Sequence, residues 1–157
     1  MYSKKELQKR FGKDYNSEEY VRQFEDAIMP LDKQTPRHLA FFMIALKHFD
    51  AEQDYLRIPF YEFKPLYPNE KGEIEFLLHF LAFINDCFTK VYKRYEGNIG
   101  GSPLVVLKDY KFENCCLVFR FTDGVRKLLS SPEMYCAVSK RVEEIVRSKQ
   151  KKKQANT

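Results

Sequence analysis

Apolar and polar positions along this chain alternate at two spacings, and the changes between them predict the elements. Residues 3–11 read as a short helix with Leu7 and Phe11 as its apolar points. Asn16-Ser17-Glu18-Glu19 is a second helix start, in which Ser17 can cap and the two acids favour the positive end of the helix dipole. Tyr20, Val21, Phe24 and Ile28 then share one face, and Pro30 ends the run. A third start is Thr35-Pro36, a capping hydroxyl followed by proline at the first helical position. The helix it opens, through Phe49, is apolar nearly all round, which predicts a central, buried element. Tyr55–Pro59 alternates as a short strand stopped by proline. Tyr61–Tyr67 reads as a brief helix or turn between prolines.

Glu73–Tyr95 predicts the longest helix. Its first half is dense with Ile74, Phe76, Leu77, Leu78, Phe80, Leu81, Phe83 and Ile84. Its second half sets Cys87, Phe88, Val91, Tyr92 and Tyr95 on one side and Lys90, Lys93 and Arg94 on another. Gly97 stops it, and a glycine-containing loop over 97–102 follows. That loop lacks the Gly-Lys-Ser of a phosphate cradle and does not precede a helix, which argues against a nucleotide site. Leu104–Leu107 and Cys115–Phe121 are strand-like, and the polar segment Asp109–Asn114 between them predicts the turn region of an antiparallel hairpin. A helical turn over Val125–Leu129 comes next, and Ser131-Pro132-Glu133 opens a last helix. Tyr135, Val138, Val142 and Ile145 form a narrow stripe along it, suited to docking on the parent domain or to pairing with a second copy.

Composition narrows the class. A chain of 157 residues with 44% hydrophobic and 15% aromatic residues is long and apolar enough for one packed domain, placed at 1–146 with its core over about 31–129. The formal net charge is +5, and part of the excess lies in Arg147, Lys149, Lys151, Lys152 and Lys153. Residues 147–157 therefore read as a basic disordered tail, either solvated or touching phosphate. No secretory leader pattern and no long apolar span occur, so a cytoplasmic protein is expected. The four cysteines include no C-x-x-C, and Cys115-Cys116 in a strand would point to opposite faces. His79 lies within an apolar helix and reads as a core histidine, whereas His38 and His48 are expected at solvent or a partner. No nucleophile, base or ligand spacing stands out, so the expectation is a protein without catalytic residues, metal or cofactor.

The order helix, strand, short helix, long helix, hairpin is that of a winged helix, here an α+β, mostly helical chain with extra N- and C-terminal helices. Three segments resemble the N-terminal winged-helix domain of plasmid replication initiators that act at repeated origin sites. They are Leu31–Leu39 at the capped apolar helix, Leu56–Phe63 at the short strand and small helix, and Val118–Leu129 at the closing strand. The resemblance spans about Leu31 to Leu129 and implies a DNA replication role, with double-stranded DNA as partner, a homodimer as a candidate state, and no catalytic residue. In the family that first domain mainly supports dimerisation and backbone contact, and a second winged helix makes most base contacts. One helix and the basic run follow the hairpin here, which implies a one-domain relative or a truncated initiator. The expected phosphate contacts are Lys90, Lys93 and Arg94 on the long helix, Lys108 and Lys111 near the hairpin turn, and Lys149, Lys151, Lys152 and Lys153 in the tail. The first half of the long helix offers Phe and Leu where a base-reading helix offers polar groups. The second expectation is therefore a non-enzymatic protein–protein interaction module of phage or mobile-element origin. The two part on whether the cations share one face or scatter among acids.

Overall fold

A computed structural model of the chain describes the backbone of residues 4–95 and 107–155 and the side chains of 5–87 and 107–149. The fold is α+β, mostly helical, with one small antiparallel sheet. It divides into two compact units, one made of residues 1–32 with 123–157 and the other of residues 33–122.

The first unit is helical. Helix α1 (Lys4–Phe11) ends where Gly12 takes φ 101° and returns its N–H to the Gln8 carbonyl at 2.8 Å. Glycine reaches that left-handed conformation without steric penalty. Helix α2 (Ser17–Ala27) is capped by Asn16, not by Ser17, since the Asn16 Oδ1 accepts the N–H groups of Glu18 and Glu19. Helices α5 (Asp123–Leu129) and α6 (Pro132–Ala155) complete the unit. The Ser131 hydroxyl accepts the Met134 N–H at the start of α6.

Helices α2 and α6 pack together, with Val21 and Phe24 buried on one and Ala137, Val138, Val142 and Ile145 buried on the other. Each fully buried valine, isoleucine or phenylalanine side chain contributes roughly 1.5–3 kcal/mol. The stripe weighed as a dimer contact is thus taken up at Val138, Val142 and Ile145 by the chain's own packing, and Tyr135 is half-buried. The segment expected to be a disordered tail continues α6 as helix to Ala155.

The second unit opens with α3 (Pro36–Lys47), whose Thr35 hydroxyl accepts the His38 N–H at 3.1 Å, the cap that the sequence predicts. Strand β1 (Leu56–Pro59), a 3₁₀ helix (Phe60–Leu66), α4 (Glu73–Tyr95), β2 (Leu107–Glu113) and β3 (Cys116–Phe121) follow. The sheet order is β1-β3-β2, both pairings antiparallel. The hairpin is tighter than the sequence suggests. Polar residues 109–113, expected at the turn, are in strand β2, and only Asn114 and Cys115 make the turn. Both have positive φ, 50° and 61°, as a type I′ turn requires. The loop expected over 97–102 and the run 104–106 lie outside the described residues.

Phenylalanine builds this core. Phe63 stacks on Phe80 at 4.7 Å between centroids and on Phe41 at 5.3 Å, and Phe80 stacks on Phe76 at 5.7 Å. From the sheet, Phe119 reaches Phe41 at 5.7 Å and Phe121 reaches Phe42 at 6.0 Å. Such pairs add about 0.5–1.5 kcal/mol each beyond area burial. This explains how α3, apolar nearly all round, is accommodated: seven of its residues are buried.

Candidate interaction surface

The two faces of the sheet follow from its register. Leu56 and Ile58 pair with Phe119 and Leu117, and all four are buried. The alternate positions form the other face. There Lys111 sits 2.9 Å from the Glu113 carboxylate, and Arg57 lies 3.6 Å from the same group. The Lys111 hydrogen bond, with Arg57 beside it, holds the Glu113 carboxyl below its ordinary range. Arg120 Nε donates to Asp109 at 2.9 Å and its guanidinium lies 5.2 Å from the Tyr55 ring centre. Lys111, expected near the turn as a phosphate contact, therefore sits within a strand beside an acid. Lys108 occupies the irregular step between Leu107 and Asp109 and is exposed. Residues 33–122 carry 12 Lys and Arg against 11 Asp and Glu, so this unit supplies little of the chain's positive charge.

The other expected cations divide. Lys90, Lys93 and Arg94 fall on the helical backbone of α4, with side chains outside the described set, and the same holds for Lys151, Lys152 and Lys153 on α6. Lys149 donates to the Asp32 carbonyl at 3.4 Å, and Arg147 is 2.6 Å from Glu143. Between residues 147 and 155 there are five cations and no acid. An open cleft of about 770 Å³ in the first unit is lined by Lys13, Lys140 and Arg141, but equally by Asp14, Glu18 and Glu144. Its charges balance, so it does not favour an anion.

Helix α4 holds the feature that sequence reasoning missed. Phe76, Phe80, Ile84 and Cys87 recur at helical spacing and are buried. The remaining apolar residues of its first half are not. Ile74 is 75% exposed and Leu78 62% exposed, with Leu77 and Leu81 half-buried and Ala82 exposed. Glu73 and Glu75 flank Ile74 and are also exposed. A signal was present: eight large apolar residues within 74–84 exceed what one helix face can hide.

Two of the histidines, His38 and His79, reverse their expected places. His79 is exposed and its Nδ1 is hydrogen-bonded to the Glu70 carboxylate, because it lies on the outer side of α4. His38 is buried, stacks on Phe83 at 5.2 Å and shares a 2.8 Å hydrogen bond with the Thr35 hydroxyl. His48 is half-buried against the Glu62 carboxylate. Cys115 is exposed at the hairpin turn, Cys116 is half-buried in β3, and Cys87 is buried. Burial pushes the Cys136 thiol up from its ordinary value. Among the described residues no three His, Cys, Asp or Glu groups are placed to hold a metal ion. Among the same residues no helix is long and apolar enough to cross a membrane.

No protein-family model, curated protein or solved structure matches this chain.

Proposed function

We propose that residues 33–122 form a winged-helix module that works by contacting protein, through the exposed side of α4, in a protein without catalytic activity. The frame is supported by element order and sheet order together. Helix α3, strand β1, a short 3₁₀ helix, the long α4 and the β2–β3 hairpin follow in the winged-helix sequence, with β1 beside β3. The observation that carries the functional part is the exposure of Ile74 and Leu78, beside Glu73 and Glu75, at the start of α4. A DNA-reading helix presents polar donors and cations there. Carboxylates facing phosphate are repelled, and exposed apolar side chains gain nothing from it. On the hairpin, Lys111 and Arg120 are each matched to an acid, and the two-residue turn leaves no extended wing.

A second reading rests on a different segment. The acid-free basic end of α6, residues 147–155, suits sequence-independent phosphate contact. In that reading the protein touches DNA by this segment, in keeping with the resemblance to replication initiators, while the winged-helix unit serves assembly.

Fluorescence anisotropy of the full chain on duplex DNA across a salt series tests both. The protein-contact reading predicts that Lys108→Glu/Lys111→Glu leaves DNA binding within about twofold of wild type and the salt slope unchanged, since each lost phosphate contact would flatten that slope by about one. Loss of binding in that variant overturns it. The second reading predicts that glutamine at Lys151, Lys152 and Lys153 weakens binding and flattens the salt slope.

A further inference from the structure

We draw no further inference here: the strongest candidate, the exposed apolar side of α4 at Ile74 and Leu78, carries nothing beyond the protein-contact reading because nothing in the structure shows what covers it.

Discussion

Cys115 holds φ 61° at the second position of the two-residue hairpin turn, a conformation that costs a β-carbon-bearing residue roughly 1–2 kcal/mol. Glycine is the residue this position favours, and Asn114 before it already suits the first. Cys115→Gly should therefore raise stability by roughly 0.5–1 kcal/mol after the added chain entropy of glycine is counted, measured by thermal unfolding. Cys115 is also the exposed thiol among the four, and should react with a maleimide before Cys116 and Cys136, with Cys87 last. Mass spectrometry of a labelling time course checks that order. Tyr15 gives a pH signature. It donates its hydroxyl to the Glu133 carbonyl at 3.0 Å, and burial pushes its phenol up to about 12. A raised value means that the stability it contributes is complete below the unfolded value, about 10, and is lost as pH rises through about 12. Wild type should therefore lose stability more steeply than Tyr15→Phe over that alkaline range in thermal scans. At this scale the sequence was legible where chemistry is local. The Thr35 cap needs only its neighbours, whereas His38 and His79 exchanged their expected environments because burial depends on which side of each helix meets the aromatic core.

At the scale of elements, α4 carries two unlike sides. Phe80 lies among Phe60, Phe63 and Phe76, fully buried, and Phe80→Ala should cost about 3–5 kcal/mol through transfer and cavity terms. Leu78 is one helical side away and largely exposed, and Leu78→Ala should change stability by no more than about 0.5 kcal/mol. Chemical denaturation of the two variants at low protein concentration separates a packing residue from a surface residue. Existence and order of elements were readable from periodicity, caps and prolines, down to the Glu73–Tyr95 span of α4. The hairpin register was not. Lys108, Asp109, Lys111 and Glu113 look like a loop in sequence, yet on the outer face of a half-buried sheet charged residues are stable when matched to opposite charge, as Lys111, Glu113 and Arg120 are here. The same matching could not be read from spacing, since Arg57 and Arg120 come from different strands.

Across the whole molecule, charge is uneven in a way that composition conceals. The chain's formal +5 comes mainly from the first unit, where 15 Lys and Arg face 11 Asp and Glu, and the longest acid-free basic stretch is the end of α6. The unit of residues 33–122 is almost neutral and shows an apolar, acid-flanked side on its longest helix. A stripe of α6 that sequence periodicity offered for dimer contact is spent on packing with α2, while the exposed stripe lies on α4. Hydrogen exchange of the full chain with and without saturating duplex DNA separates the two roles in one measurement. The account predicts that DNA leaves residues 73–87 and the β2–β3 hairpin unprotected beyond their free state, with any new protection confined to the basic end of α6. Protection appearing across Glu73–Ala82 when DNA is added would contradict it, because α4 would then be the helix that meets the duplex.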